Sequence, residues 1–326
     1  MQKTSEVYKK LYHYTTWVGL LGILQSQSLW ATHYKFLNDY SEIVLFRNKL
    51  ISLILPYVRK AYEDLIKRHQ HIENSINQKG GLAQVAQHDT EVVIDALYRA
   101  TGDEIYILSF CGEHKNPQVN INGLLSQWRG YGAGGGFALV FDTKKLEELL
   151  EIESKEFEYS AGHFCDLIYS DDEKKLGEEL SDDLSILADC IKQFFHHTNF
   201  NENEEPDISR GYIPFVKCIS RYKHYGFSEE NEVRIVALPT VLDQVMIELA
   251  SAKGFTLKSE KERNFRNKKG QHIPYIELFN SIDIGLPIER IIVGPHKEKE
   301  NRAATLRSML RKTKIEITCS DIPYVG

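Results

Sequence analysis

The chain has 326 residues, of which 42% are hydrophobic and 26% are charged, and its formal net charge is -6 at pH 7. This composition is typical of a globular protein, and the length suffices for one elaborated domain or two small ones. The negative charge argues against a surface that binds nucleic acid throughout, although it is compatible with a local basic patch.

No apolar run reaches the length of a membrane-spanning helix, since even Ile51–Leu55 ends at Pro56. The residues Met1–Glu6 lack the apolar segment of a secretory signal. The five cysteines are scattered without Cys-x-x-Cys spacing, which indicates neither a disulfide framework nor a zinc site. We therefore expect a cytoplasmic protein with no membrane contact and no metal.

The first predicted elements are a strand, a helix and a second strand. Leu11–Tyr14 forms the first strand, and Thr15 or Thr16 caps a helix over Val18–Leu24. The second strand covers Leu29–Thr32. A polar ligand could bind where the first strand ends, because a histidine, two tyrosines and a threonine meet there.

A long amphipathic helix is predicted next, from Phe46 to Leu65, with a kink near Pro56. Asp39 and Glu42 precede it at the spacing of a capping box, which we prefer to a metal-binding role. The elements predicted up to the middle of the chain are a polar loop over His69–Gly81, a helix over Gln84–Arg99, a central strand over Glu104–Phe110, a polar loop over Glu113–Asn122 and a helical face with Leu124 and Trp128.

The glycine run Gly132–Gly136 leads directly into an apolar strand, Phe137–Asp142. A dinucleotide-binding fingerprint needs strand, glycine turn and helix in that order, because the helix N-terminus meets the phosphates. Here the order is helix, glycines, strand. The glycines therefore predict tight turning or a close approach of a ligand to the backbone.

The second half continues the mixture of helices and strands. The predicted elements are helices over Lys144–Leu150, Glu173–Phe195 and Ile213–Tyr222, a strand over Phe164–Tyr169, a surface connection over Asn199–Asp207, and a final β-α-β unit made of Arg290–Pro295, Glu298–Leu310 and Lys314–Cys319. Lys253–Gly270 is strongly basic, and we prefer a solvated mobile loop to a nucleic-acid contact there.

Ordered short motifs run along nearly the whole chain. They are Leu11–Thr15, Leu37–Asp39 with Glu42, Leu108–Cys111, Leu125 with Trp128 and Tyr131, Phe141–Asp142, Glu230 with Glu232–Arg234, and Ile291–Pro295. This set resembles a widespread bacterial family of uncharacterised proteins, a domain-of-unknown-function family. The opening motif and the glutamate strand also resemble, more distantly, the ADP-ribosyltransferase superfamily with its His, Tyr and Glu signature.

The second resemblance implies a site for NAD as substrate. His13 would hold the nicotinamide-side ribose, with Tyr14 and Thr15 as its neighbours. Trp128 and Tyr131 are both candidates for the aromatic residue that stacks on nicotinamide. The spacing of these two aromatic residues departs from the pattern of the better-known transferases.

The same resemblance implies that Glu232 is the catalytic carboxylate. Cleavage of the bond between ribose and nicotinamide builds positive charge on the sugar, which a nearby carboxylate stabilises. Glu230, two residues earlier on the same strand face, would orient or deprotonate the acceptor. The implied function is an NAD-dependent ADP-ribosyltransferase-like enzyme, such as a bacterial toxin or phage-defence effector that modifies nucleic acid or protein, with an antitoxin or other regulatory partner.

Each of these residues also has an ordinary structural interpretation. His13 can cap a strand end with its ring on a backbone carbonyl, and the glutamates can form a solvated edge paired with Arg234 and Lys223. Trp128 and Tyr131 can be core residues. The alternative function is accordingly a non-catalytic nucleotide-binding, sensor or interaction module.

A metal-dependent nuclease that uses Asp39, Glu42 and Glu230 is a weaker alternative, because those acids lack a recognisable ligand spacing. The fold we expect is α+β, with an ADP-ribosyltransferase-like split, mostly antiparallel sheet. We expect one domain over residues 1–326, with helical insertions at about 42–100 and 171–222.

Overall fold

The computed structural model describes residues 3–37, 40–101, 104–132, 134–200, 208–268 and 270–323. The chain divides into two compact units. Unit 1 consists of residues 1–34, 106–166 and 227–326, and unit 2 of residues 35–105 and 167–226. Both units are thus assembled from separate stretches of chain, and the expectation of one domain stays a prediction.

Unit 1 is built on a ten-stranded sheet. Its strands are β1 (Lys10–Thr15), β2 (Leu29–His33), β3 (Tyr106–Gly112), β4 (Phe137–Asp142), β5 (Tyr159–Asp166), β8 (Glu232–Pro239), β9 (Asn264–Lys268), β10 (Gln271–Leu278), β11 (Ile288–Val293) and β12 (Glu316–Cys319). All strand pairs in this sheet are antiparallel except β11 with β12. The predicted α+β class with a mostly antiparallel sheet is confirmed.

Seven helices accompany this sheet in the described part of unit 1. They are α1 (Thr4–Val7), α2 (Trp17–Ser26), α6 (Pro117–Asn122), α7 (Leu125–Tyr131), α8 (Thr143–Glu156), α12 (Gln244–Ala252) and α13 (Lys299–Met309). Local signals fix several starts: the side chain of Thr16 accepts a hydrogen bond from the Gly19 amide, and that of Asp142 from the Lys145 amide. Asn116 caps α6, whose first residue is Pro117, where a loop was predicted.

The main core of unit 1 lies on one face of the sheet. Leu11 of β1, Phe110 of β3 and Val233 of β8 belong to it, and Leu20 of α2 joins them. A second, smaller cluster contains the side chains of the alternate residues, such as Tyr12 and Tyr14. This division follows from strand geometry, in which successive side chains point to opposite faces.

Unit 2 is mainly helical. Its elements are α3 (Tyr40–Arg68), α4 (Gln70–Gln78), α5 (Leu82–Thr101), α9 (Glu173–Glu179), α10 (Ser181–Phe200), α11 (Tyr212–Arg221) and a short parallel pair, β6 (Ile168–Tyr169) with β7 (Tyr222–Lys223). The loop predicted over 69–81 is wrong, because α4 buries Ile72 and Ile76 at helical spacing. Pro56 lies inside α3.

Two predictions fall on residues that the structure does not describe. The side chains of Asp39 and Glu42 lie outside the described part of the chain, so the capping box stays a prediction. Most of the connection predicted over Asn199–Asp207 also lies outside it.

The glycine run makes a turn between α7 and β4. Gly134 and Gly135 have φ angles of 71° and 77°, which L residues adopt rarely. A Cβ on Gly294 would lie 2.8 Å from the backbone oxygen of Gly136 and 2.9 Å from the ring of Trp128. The glycines therefore allow a tight turn, as predicted. The groups that approach this backbone closely belong to the chain itself, at Gly294 and Trp128.

The basic segment 253–270 is anchored in its middle. Lys261 is 2% exposed and pairs with Glu153, which is fully buried, over 2.6 Å. Lys258 donates to the backbone oxygen of Ser154, and Asn264–Lys268 forms β9. The prediction of a solvated mobile loop is therefore wrong for the buried Lys261 and for the strand, whereas Lys258 is exposed.

Candidate functional site

The sheet of unit 1 forks along one edge of β3. β1 pairs with the end of β3 through Leu11–Gly112 and Tyr12–Cys111 only. β2 pairs with the start of the same edge, where Thr32 faces Ile107 and His33 faces Tyr106. Between these contacts, Leu108–Phe110 pair with neither strand, so β1 and β2 diverge there.

His13 lies where β1 leaves β3. Its ring is half-buried, and its Nδ1 is 3.1 Å from the backbone oxygen of Ser109. Its ring meets that of Phe110 edge-on at 5.8 Å. The imidazole thus lies in the fork and binds the Ser109 carbonyl, which a neighbouring strand would otherwise bind.

The chemistry of His13 follows from this contact. Burial lowers the pKa of His13, and the bond to Ser109 offsets this in part. A carbonyl oxygen can only accept, so the neutral ring carries its hydrogen on Nδ1. The lone pair of Nε2 is then available to accept a hydrogen bond, for example from a ribose hydroxyl.

Glu232 lies on the opposite face of the sheet from His13. Tyr12 pairs with Cys111, and Cys111 pairs with Glu232, so the three side chains share one face. His13 follows Tyr12 and therefore points to the other face, where it meets Phe110. The structure does not bring together the histidine and the carboxylate of the implied transferase site.

The Glu232 carboxylate is bound by the guanidinium of Arg234. Its two oxygens are 2.7 and 3.3 Å from Nε and Nη2 of that arginine. Both side chains are buried, with 6% of Glu232 and 1% of Arg234 exposed. The structure thus pairs Glu232 with Arg234, as the structural interpretation expected, but it buries the pair where a solvated edge was expected.

Glu230 does not share a strand face with Glu232, contrary to the prediction. A short 3-10 helix ends at Glu230, and Asn231 has a φ angle of 45° before β8 begins. The side chain of Asn231 accepts from the Tyr8 hydroxyl and donates to the Glu113 backbone oxygen. Glu230 therefore precedes the strand and is not part of it.

Glu230 and Tyr14 line the same small cavity of about 10 Å³, which has room for about one water molecule. The residues around it are Tyr12, Tyr14, Cys111, Gly112, His114, Val119, Asn120, Leu124, Glu229 and Glu230. Pockets for drug-sized ligands enclose roughly 300–1,000 Å³, so a dinucleotide exceeds this cavity. Tyr14 also accepts a hydrogen bond of 2.8 Å from the Leu124 amide, which fixes its hydroxyl.

The two aromatic candidates occupy different environments. Trp128 is 2% exposed, meets Tyr14 edge-on at 4.8 Å and donates its ring N–H to Asn122. It is therefore a core residue without a free face for nicotinamide. Tyr131 is 47% exposed at the end of α7, and Thr15 is half-buried at the end of β1.

Sequence reasoning did not identify the residues that contact His13 and line the cavity. The Ser109 backbone oxygen lies in an apolar strand, which gives no sign of a bond to an imidazole. At the cavity, the side chain of Asn120 accepts a hydrogen bond of 2.7 Å from the His114 amide and donates one of 2.8 Å to the His114 backbone oxygen. For that loop, the Asn-Pro cap at 116 and 117 was a usable signal.

The described residues show neither a metal-binding cluster nor a membrane-spanning helix. No cluster of three or more histidine, cysteine or acidic side chains placed to hold a metal ion occurs among them. Within the same residues, no helix has both the length and the apolar character needed to cross a bilayer.

Comparisons with known proteins identify one domain. Residues 127–235 match the family described as Protein of unknown function (DUF2971). The match runs from α7 into β8, so it contains Glu230 and Glu232 but not His13. Neither the curated proteins nor the solved structures yield a match.

Proposed function

We propose that the chain is an NAD-binding module with an ADP-ribosyltransferase-like split sheet, in which His13 receives the nicotinamide-side ribose. The observation that carries this proposal is the half-buried imidazole in the fork, with its tautomer set by the Ser109 carbonyl. A neutral Nε2 that accepts from a sugar hydroxyl is the role that the resemblance assigns to this histidine.

The sheet topology supports the same proposal. One half of the sheet runs β12-β11-β4-β1, and the other contains β5-β8-β3-β2-β10-β9. The two halves join at two residue pairs only. Backbone groups on the unpaired edge of β3, together with His13, can then meet a polar ligand.

Binding without transfer is what the geometry favours. Transfer needs a carboxylate against the sugar whose charge develops, on the side where the histidine holds it. Glu232 faces the other side of the sheet and is neutralised by Arg234. The geometry therefore supports a contact between His13 and the ribose of NAD, but not a contact between Glu232 and the same sugar.

The NAD-consuming transferase is the second candidate. Glu229 and Glu230 line a cavity beside Tyr12 and Tyr14, which places carboxylates at a surface recess near the start of β8. In that case the acceptor, nucleic acid or protein, would meet these glutamates. A regulatory partner would be expected for such an activity.

Titration calorimetry with NAD tests the binding proposal. The intact chain should bind NAD, and His13→Ala should weaken binding at least tenfold, a loss of about 1.4 kcal/mol. His272→Ala, at an exposed position of β10, is the matched control and should bind like the wild type. Unchanged affinity in a folded His13→Ala variant would refute the role of the fork.

Release of nicotinamide separates the two candidates. The binding module should release none above the uncatalysed rate, while a transferase should release it in a reaction that Glu232→Gln abolishes with the fold retained. Thermal unfolding of Glu232→Gln checks the fold, because the amide oxygen still accepts from Arg234.

A further inference from the structure

Helix α12 (Gln244–Ala252) buries none of its residues. Its large apolar side chains are all exposed: Val245 by 62%, Met246 by 37%, Ile247 by 45% and Leu249 by 53%. Phe255, just after the helix, is 70% exposed. A helix that is apolar over most of its circumference is normally covered, and so large an exposed cluster marks an interaction site.

The helix is capped at both ends by its own sequence. Asp243 accepts a hydrogen bond of 2.8 Å from the Met246 amide. At the other end, the Phe255 amide donates to Ala250 and the Gly254 amide to Ser251, with Gly254 at φ 72°. This is the Schellman arrangement. Isolated helices shorter than about 12–15 residues are nevertheless marginal in water, so packing must supply the remaining stabilisation.

The segment that carries α12 has a fixed base. The Thr240 amide donates to the Glu158 backbone, and the Ser259 amide donates to the Glu156 backbone. The Leu242 amide donates to the carboxylate of Glu260 over 2.8 Å. The apolar side chains are thus held in a defined place on unit 1.

We propose that α12 packs against α12 of a second copy of this chain, as an antiparallel pair about a two-fold axis. At 3.6 residues per turn, Val245, Met246 and Leu249 fall on one side of the helix. The polar residues Gln244, Glu248 and Ser251 fall on the other. Within Gln244–Ala252 the apolar side therefore carries no charge and can face its own copy, and Lys253, just beyond the helix, lies at the end of that side.

The charges at the helix ends select the antiparallel orientation. Asp243 stands at the start of the helix and Lys253 at its end, and both are exposed. In an antiparallel pair, each aspartate meets the lysine of the other copy, and the two-fold axis repeats this contact. A parallel pair would place like charges together at both ends.

The same residues argue against a lipid surface as the occupant. Helices that lie on membranes carry lysine and arginine on the polar side and bind anionic headgroups. The polar side of α12 has no basic residue and contains Glu248. This inference is independent of the proposed function, since neither NAD nor the fork enters it.

Sedimentation equilibrium of the full chain tests the pair. The wild type should be a dimer, and Val245→Glu and Leu249→Glu should each raise the dissociation constant at least tenfold. Val18→Glu, at a position of α2 that is 79% exposed, is the matched control and should leave it unchanged. A monomeric wild type at tens of micromolar would overturn the proposal, and binding of that monomer to anionic vesicles would assign α12 to lipid.

Two further variants test the orientation. Asp243→Asn keeps a good capping residue but removes the charge, so it should weaken the dimer at low salt and have little effect at high salt. Under mild oxidation, Leu249→Cys should give disulfide-linked dimers and Ile247→Cys should not. Cross-linking through residue 247 instead would refute the antiparallel pairing through this side.

Discussion

At the scale of single residues, His13 links ligand binding to stability. The unfolded chain has an ordinary histidine pKa near 6.5, whereas burial lowers the pKa of His13 in the folded state. Between the two values the unfolded chain binds more protons, so folded stability falls as pH drops below about 6.5.

We therefore expect the urea midpoint of the wild type to fall more steeply below pH 6.5 than that of His13→Gln. A glutamine has no proton to gain in this range, so the difference between the two curves reports His13 alone. Parallel curves for the two proteins between pH 7.5 and pH 5 would show that the imidazole of His13 is not the cause.

A pair of glycine substitutions tests the packing around Trp128. Gly294→Ala would place a methyl group 2.8 Å from a backbone oxygen and 2.9 Å from that ring, so it should cost about 1–3 kcal/mol. Gly22→Ala in α2 meets nothing within 4 Å and should stabilise the protein by about 0.5–1 kcal/mol. Denaturant titration measures both, and similar midpoints would contradict this account.

At the scale of elements, the sequence predicted many strands and helices, but not which face of the sheet each side chain meets. The spacing of Leu11–Tyr14 and the apolar run after Glu232 sufficed for β1 and β8. Whether His13 faces Glu232 depends on how β1, β3 and β8 align. A slip of one residue turns every side chain to the other face, and the pairing is between distant parts of the chain.

A prediction for a single helix concerns Pro56. It lies within α3, where it removes a backbone hydrogen bond, and its side chain is exposed. Pro56→Ala should therefore stabilise the protein, by up to about 3 kcal/mol. Arg59→Ala, also exposed on α3, should change little. A lower urea midpoint for Pro56→Ala would mean that α3 needs the distortion.

At the scale of the whole molecule, the division into two units was only partly visible in the sequence. The helical insertions predicted at about 42–100 and 171–222 correspond to stretches that form unit 2. Their association depends on contacts between α3 and α10, which are more than a hundred residues apart. Local periodicity predicts each helix but carries no information about its distant partner.

Spectroscopy can determine whether the units unfold together. Trp17, Trp30 and Trp128 all belong to unit 1, whereas α3, α5 and α10, the longest helices, belong to unit 2. If the chain is one domain, tryptophan fluorescence and far-ultraviolet circular dichroism should give the same midpoint in urea. Separate midpoints would indicate two domains.

The buried pair of Glu153 and Lys261 constrains how this sequence can vary. The carboxylate also accepts from the Tyr159 hydroxyl and the Phe279 amide, and the ammonium donates to Asn280. Loss of either charged side chain would leave the other charge unpaired in the core. Replacement of both by apolar residues would not. Homologues should therefore keep both residues or exchange both, and those that lack them should hold the segment before β9 by some other contact.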